Sequence, residues 1–388
     1  MVLNNLQLAN TNNVIDIRIN GKLITGISKG GMLAHSDSLN LTFENAMVLP
    51  GLINSHDHLD FNLFAQLGSK VYNNYTEWGP HIHKTYKDEI NAVLRVPKEL
   101  RIEWGVYKNL LCGVTTVINH GKRLRVKNDL ITVLQDCQSL HSMGFEKKLK
   151  LKLNNPLKIN KTVAIHVGEG TDDFAAEEID KLTKWNLLNR DVVGIHGVAM
   201  NAEQAKKFKA LVWCPASNYF LLNKTADVNE LKNNTTICFG SDSTLTADWN
   251  IWNHIQQAQT KIGLTQSELI AMLTENPAII WKLNGGRIAE GRDADIVITK
   301  TPCEGLVSNI NPEEILLVIH KGEICLFDDS IFSQLNPLGF NKPNFSAIEM
   351  RTCVKHIKGN IRKLLAEIKV ILPEAQLPVK PENKLIAV

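Results

Sequence analysis

Two histidines separated by one residue, His56 and His58, follow an apolar stretch that begins at Val48. Successive side chains of a strand point to opposite faces, so positions i and i+2 point the same way. If residues 48–58 form a strand, both imidazoles face one side and can bind the same metal ion. A lone pair of this kind is also typical of surface histidines near a turn, and the rest of the chain decides between these interpretations.

Further polar residues follow apolar segments that read as buried strands. They are His120 after 114–119, His166 after 162–165, His196 after 191–195 and Asp242 after 236–241. Helical stretches separate the segments, and alternating strands and helices predict a parallel sheet with helical crossovers. Residues 48–285 are therefore predicted to form an α/β fold, a (β/α)8 TIM-like barrel whose chemistry lies at the carboxyl ends of the strands.

One strand of this barrel, the fourth, is not evident in the sequence. The segment 130–162 has room for one helix, at 146–153, but hardly for a further strand with its own helix. Two alternatives stay open: the strand is hidden in residues 135–141, or it is missing and the barrel is incomplete there.

Short strands are predicted on both sides of the barrel. Residues 1–47 contain a hairpin turn at Asn20-Gly21 and a further turn at Gly30-Gly31. Residues 286–335 return to strand, and we pair the two segments as one small, discontinuous β-sandwich domain.

Helices are expected around the barrel and in the C-terminal extension. Periodicity predicts them at 98–111, 251–262 and 265–273, and Thr265-Gln-Ser-Glu268 resembles a capping box. Residues 336–388 are predicted to be a helical extension and tail, with an amphipathic helix at 346–372. Its apolar face needs a partner, so it is interpreted as a lid or a contact in a homo-oligomer.

Composition narrows the classes of protein. Of the 388 residues, 44% are apolar and 21% charged, a globular balance, and the net charge of +3 argues against a nucleic-acid partner. No signal peptide and no apolar run of about 18 residues is present, so no membrane partner is expected. The seven cysteines form no C-x-x-C pair and suit a reducing compartment. We predict a cytoplasmic protein with a small-molecule substrate.

The residues at the strand ends fit a catalytic metal site. His56, His58, His166 and Asp242 offer three imidazoles and one carboxylate, a ligand set suited to zinc or iron with one position left for water. A bound divalent ion lowers the pKa of that water to about 7, which makes hydroxide available at neutral pH.

Two further residues are predicted to assist the metal. Glu169 lies three residues after His166, close enough to act beside the metal as a general acid and base. His196 is left to polarise the substrate or to stabilise a tetrahedral intermediate.

Several motifs, in order between residues 14 and 326, resemble the amidohydrolase superfamily. They are Pro50-Gly-Leu-Ile-Asn-Ser-His-Asp-His58, Gly113-Val-Thr-Thr-Val117, His166-x-x-Glu169, His196-Gly197, Pro215-Ala-Ser-Asn218, Gly240-Ser-Asp-Ser243, and Asn276-Pro-Ala278 followed by Gly286-Arg-Ile-Ala-Glu-Gly-Arg-Asp-Ala-Asp-Ile-Val-Ile298. Within the superfamily, they resemble the branch of cytosine and guanine deaminases and triazine (atrazine) hydrolases.

The resemblance implies one divalent metal ion, zinc or iron. Binuclear relatives need a bridging lysine from the fourth strand, whereas the lysines at 147–161 follow a solvated, helix-like pattern. It also implies hydrolytic deamination of a small nitrogen heterocycle or amidine, in which Glu169 carries the proton and Asp242 assists as a base.

The loops after the strands would then contact the substrate. His120, Asn218 and Trp78 are the candidates, although His120 fits a hydrogen-bonded position behind the substrate equally well. Two alternatives to deamination stay open. One is cleavage of a ring amide or of another leaving group, and the other is a non-catalytic relative that acts as a binding protein.

Overall fold

The computed structural model describes residues 1–11, 13–29, 39–335 and 344–382. The predicted turn at Gly30-Gly31 lies outside the described residues. The N-terminal strands are β1 (Val2–Leu8), β2 (Val14–Asn20), β3 (Leu23–Ser28), β4 (Asn40–Thr42) and β5 (Ala46–Pro50). The predicted hairpin at Asn20-Gly21 is present, because β2 and β3 pair antiparallel and Asn20 lies opposite Leu23.

The next strands form the part of the fold that carries the candidate site. They are β6 (Leu52–Asp57), β7 (Val114–Asn119), β8 (Thr132–Leu134), β9 (Gln138–Ser142), β10 (Val163–Val167), β11 (Val192–His196), β12 (Ala210–Trp213) and β13 (Thr236–Phe239). They pair in parallel in two sheets, with the orders β6-β7-β8 and β13-β12-β11-β10-β9. The prediction of an α/β fold with parallel strands is confirmed.

The strand that the sequence left undecided is β9, which overlaps the predicted hidden range of 135–141. Only three residues separate it from β8, so no crossover helix lies between these two strands. Among the described residues no ladder joins β8 to β9, or β13 to β6. The parallel strands with their surrounding helices are TIM-barrel-like, but within the described residues they form two sheets, of three and five strands.

The apolar stretch before His56 does not form one strand. Strand β5 belongs to the sheet of the N-terminal strands, where it pairs with β1. Strand β6 begins at Leu52 and pairs in parallel with β7. Between β5 and β6, Gly51 lies so close to Thr115 that an added Cβ would meet its Oγ1 at 2.2 Å. A glycine at this position therefore allows the chain to pass from one sheet to the other.

Helices surround the parallel strands. They are α1 (Tyr75–Thr85), α2 (Lys87–Arg95), α3 (Lys98–Leu111), α4 (Leu149–Leu153), α5 (Asp173–Trp185), α6 (Ala202–Ala205), α7 (Pro215–Leu222), α8 (Val228–Leu231), α9 (Ile251–Ile262), α10 (Gln266–Leu273), α11 (Glu275–Trp281), α12 (Phe332–Leu335) and α13 (Ile361–Ile371). The predicted capping box is present at α10, where Thr265 and Glu268 exchange hydrogen bonds. Throughout the described residues, every helix is too short or too polar to cross a bilayer.

The remaining strands belong to the sheet that β1–β5 begin. They are β14 (Ile296–Lys300), β15 (Ile315–His320), β16 (Glu323–Asp328), β17 (Phe345–Met350), β18 (Cys353–Lys358) and β19 (Lys380–Pro381). The sheet runs β19-β17-β18-β16-β15-β14-β5-β1-β2-β3, and β4 pairs with β1. It joins residues from both predicted segments of the small domain, and the domain boundaries stay a prediction.

The predicted helix at 346–372 is wrong in its first half. Residues 345–358 form the hairpin β17–β18, and only α13 is helical. The buried residues Ile348 and Met350 alternate along β17, as do Lys355 and Ile357 along β18. This period of two suits a strand, and β16 offers an edge with which β18 pairs.

Candidate active site

Five histidines meet at the carboxyl ends of β6, β7, β10 and β11. The ring centroid of His56 lies 4.9 Å from that of His58, 5.2 Å from His120, 5.0 Å from His166 and 5.9 Å from His196. The fold therefore brings together all the histidines that the sequence placed at strand ends. His58 is partly exposed and the other four are buried.

The donor atoms of these residues lie close enough to hold a metal ion. Among the described residues, two groups have donor atoms within 4.8 Å of one another: His56 with His120 and His166, and His56 with His196 and Asp242. Since an imidazole nitrogen binds a single ion and His56 belongs to both groups, the groups describe one centre rather than two independent sites.

The predicted ligand set lies at this centre, but it does not coincide with either group. Nε2 of His56 is 3.3 Å from Nε2 of His166 and 3.6 Å from Oδ1 of Asp242. His58 lies in neither group, although its Nε2 is 3.8 Å from the same Asp242 oxygen. His120 belongs to the first group, and its predicted contact with the substrate stays a prediction.

Hydrogen bonds set the tautomers of two of the imidazoles. Nδ1 of His166 lies 2.7 Å from the carbonyl oxygen of His141, and Nδ1 of His196 lies 2.8 Å from Oδ1 of Asn218. Because these oxygens accept, each Nδ1 carries the proton and Nε2 keeps its lone pair. Metal-binding histidines characteristically donate their other N–H in this way.

Burial keeps these imidazoles neutral. It is the main cause that lowers the pKa of His166 well below its usual value, and the neighbouring histidines lower it further. For His120, burial again has the largest effect in lowering the pKa, and Nε2 donates to the carbonyl oxygen of Leu140 at 3.0 Å. Neutral imidazole is the form that binds a metal ion.

Asp242 is held by hydrogen bonds on both carboxylate oxygens. Ser217 and Thr246 each donate a hydroxyl to Oδ2 at 2.9 Å, and the backbone N–H of Ser243 donates to Oδ1 at 2.8 Å. Burial alone would raise the pKa of Asp242, but the neighbouring imidazoles, that of His56 first, outweigh burial and hold this pKa well below its usual value. Asp242 is therefore an ionised carboxylate that can offer Oδ1 to a cation.

Glu169 lies beside this centre without belonging to either donor group. Its Oε1 is 3.6 Å from Nε2 of His196, and its side chain is buried. Burial first, and the nearby Asp242 second, raises the pKa of Glu169 well above its usual value. A carboxyl group in this setting holds a proton readily, as a general acid must.

Trp78 and Asn218 were also predicted to contact substrate. The indole N–H of Trp78 donates to the carbonyl oxygen of Leu67, and its ring packs against the apolar cluster of Tyr72, Val198, Leu221 and Leu222. Its described contacts therefore fix a loop rather than the imidazoles. Asn218 is fully buried behind His196, where it orients that ring.

The sequence did not single out every residue that shapes the centre. His141 is the penultimate residue of β9, the strand that was hard to recognise, and its backbone oxygen fixes His166. Ser217 lies inside the quoted motif Pro215-Ala-Ser-Asn218, so the motif was a signal for it. Nothing in the sequence pattern pointed to Thr246.

The donor chemistry fits a divalent metal ion, since neutral imidazoles and a carboxylate are ligands that zinc and iron accept. The amidohydrolase family profile matches residues 146–325 of the chain. This match confirms the predicted resemblance to the amidohydrolase superfamily, and it supports the predicted class, a metal-dependent hydrolase acting on C–N bonds.

Particular relatives are distant in sequence. The chain is 24% identical, over an alignment of 396 positions, to a 5-methylthioadenosine/S-adenosylhomocysteine deaminase from Caldicellulosiruptor saccharolyticus, covering 84% of this chain and 87% of the relative. In structure it resembles a zinc-complexed atrazine chlorohydrolase from Arthrobacter aurescens, with a TM-score of 0.69, 15% identity, and coverage of 96% and 100%. It also resembles a zinc-bound adenosine deaminase from Xanthomonas campestris, with a TM-score of 0.65, 13% identity, and coverage of 83% and 92%.

Proposed function

We propose that the protein hydrolytically removes ammonia from an amino-substituted nitrogen heterocycle, using one divalent ion, zinc or iron. The observation that carries this proposal is the position of the buried carboxyl group of Glu169, beside His196 at the edge of the imidazole and carboxylate cluster. As in the sequence-based prediction, His56, His58, His166 and Asp242 would hold the ion. When bound, the ion would lower the pKa of a water molecule and so supply the nucleophile.

The protein's own residues would then move protons and stabilise charge. Glu169 takes the proton from water and delivers it to the ring nitrogen of the substrate. His196, whose orientation Asn218 fixes and whose Nε2 lies 3.6 Å from Oε1 of Glu169, would polarise the substrate or stabilise the tetrahedral intermediate, as the sequence predicted. Two hydroxyl donors hold Oδ2 of Asp242, so Oδ1 is the oxygen that would bind the ion and, beside it, serve as the predicted base.

For the substrate, we propose an aminated purine nucleoside as the first class to test. This choice rests on the 24% identical relative, which is named as a deaminase of 5-methylthioadenosine and S-adenosylhomocysteine. Cytosine and aminated triazines are further candidates, because the sequence motifs resemble the branch that acts on such rings. Displacement of a non-amino group from a triazine ring is the competing reaction.

Ammonia release is the test of the proposed function. Purified, zinc-loaded protein is incubated with adenosine, 5-methylthioadenosine, S-adenosylhomocysteine, cytosine and an aminated triazine, and with a chlorinated triazine for the competing reaction. The proposal expects ammonia from at least one aminated ring and a loss of this ammonia in Glu169→Gln. Chloride release without ammonia would favour the competing reaction, and no turnover with a fully occupied metal site would favour a binding protein.

A further inference from the structure

The candidate metal ligands lie on two sheets that no ladder joins within the described residues. His56 lies on β6 of the three-stranded sheet and His58 directly after it, whereas Asp242 follows β13 in the five-stranded sheet. One backbone hydrogen bond crosses this gap at the site, from the N–H of Asp242 to the carbonyl oxygen of His56 at 3.0 Å. Other contacts must therefore help to keep the ligands at a ligating distance.

Side chains beneath the ligands supply these contacts. Oδ1 of Asn54, on β6, accepts from the backbone N–H of Ser241 at 3.0 Å, and Nδ2 of Asn54 donates to the Ser241 hydroxyl at 2.8 Å. The Ser241 hydroxyl in turn donates to the carbonyl oxygen of Asp242 at 2.7 Å. A side chain of one sheet thus binds the residue that precedes a ligand of the other sheet.

A buried ion pair completes this network. Nζ of Lys108, on α3, lies 3.1 Å from Oδ2 of Asp57 and 3.2 Å from the Ser241 hydroxyl. Asp57 is the residue between His56 and His58, and its carboxylate also accepts from Asn109 and Asn62, each at 2.8 Å. The side chains of Lys108 and Asp57 are 2% and 0% exposed, so solvent does not compete for either charge.

Such an ion pair is not explained by stability alone. Removing two charges from water costs several kcal/mol per ion, and apolar residues of similar size often stabilise a fold as well or better. Like Asn54, Lys108 touches both sides of the gap, through Asp57 on one side and Ser241 on the other.

We infer that Lys108 is a positioning residue for the metal site. Its ammonium group fixes the strand that carries His56 and His58 to the segment that carries Asp242. The inference rests on the metal site of the proposed function. Residues that orient metal ligands from behind typically change metal affinity by about 10- to 100-fold when they are replaced.

The test measures the Kd for Zn²⁺ of folded apo-protein by competition with a chromophoric chelator, together with the free energy of unfolding without metal. Lys108→Met should raise the Kd by about 10- to 100-fold. The matched control is Lys355→Met. Lys355 is also buried and pairs with Asp328 at 2.7 Å, but this pair lies between β18 and β16, in the large sheet outside the two sheets of the site. This control should lose stability and keep the Kd of the wild-type protein.

The outcomes separate positioning from simple support of the fold. If Lys108→Met loses stability as the control does but binds Zn²⁺ with wild-type affinity, the inference is wrong. If Lys108→Met does not fold, Ser241→Ala replaces it. Its control is Thr299→Val, which removes a buried hydroxyl from β14 in the large sheet. Wild-type affinity in Ser241→Ala would equally overturn the inference, and a wild-type protein that binds no Zn²⁺ would overturn the proposed function as well.

Discussion

The buried carboxyl group of Glu178 should make the stability of the protein depend on pH. Glu178 lies on α5, where Tyr75 donates its hydroxyl to Oε2 at 2.8 Å and the backbone N–H of Gly168 donates to Oε1 at 2.7 Å. Burial raises the pKa of Glu178 from 4.5 to about 7, against these two hydrogen bonds and with smaller contributions from Glu169 and Asp172.

The size and sign of the effect follow from this pKa. At 1.36 kcal/mol per pH unit, the rise is equivalent to about 3 kcal/mol. Below pH 4.5 the carboxyl group is protonated in both states and there is no penalty. Between pH 4.5 and about 7 the unfolded state binds fewer protons than the folded state, so the free energy of unfolding falls as pH rises. Above that window the full penalty persists.

Glu178→Gln removes the titration and keeps the shape of the side chain. Chemical unfolding of the metal-free wild-type and variant proteins, from pH 4.5 to 8, gives the difference between their unfolding free energies at each pH. This difference should shift in favour of the variant by up to about 3 kcal/mol across the window. Tyr75→Phe should deepen the dependence, because it removes a donor that favours the carboxylate. A difference between wild type and Glu178→Gln that does not change with pH would refute the reasoning.

Three further predictions concern the candidate site. Glu169→Gln should keep its metal, by metal analysis, yet lose about 10²- to 10⁴-fold in turnover, and full activity would contradict the proton-transfer role. His56→Ala should lose the metal that the wild-type protein, purified without chelator, is expected to hold at about one ion per chain; two ions in the wild-type protein would contradict the mononuclear prediction. Gly240→Ala should weaken Zn²⁺ binding and lower the melting temperature, because an added Cβ would lie 2.8 Å from Cβ of His56 and from Cγ1 of Val212; unchanged Zn²⁺ affinity would show that His56 can move without consequence.

Much of the fold follows from local patterns. The helices predicted at 98–111 and 251–262 coincide with α3 and α9, because their apolar residues recur at the helical period over several turns. The buried parallel strands are short apolar runs that end in polar residues, and this combination made β7, β10 and β11 recognisable. The site residues at their ends were therefore predictable by type.

Other parts depend on neighbours that the sequence does not show. Ser346-Ala-Ile-Glu349 resembles a helix start, yet these residues lie in β17, where Ile348, Glu349 and Met350 are buried, exposed and buried in turn. Strand β17 pairs with β18, and β18 in turn pairs with β16. The strand β8 has only three residues, and it is followed by β9 almost immediately. A short strand without a crossover helix lacks the periodic signal on which prediction depends.

The arrangement of the site depends on this same weak strand. Strand β9 supplies the carbonyl oxygen of Leu140 to His120 and that of His141 to His166, and these two bonds decide which ring nitrogen of each histidine keeps a lone pair. A backbone carbonyl has no side-chain identity, so any residue at these positions could make the same bonds and the sequence gives no signal for them. The sequence can therefore name the imidazoles of the centre, whereas their orientation depends on where the backbone of β9 lies. For this reason the sequence left open whether His120 contacts the substrate or is hydrogen-bonded behind it.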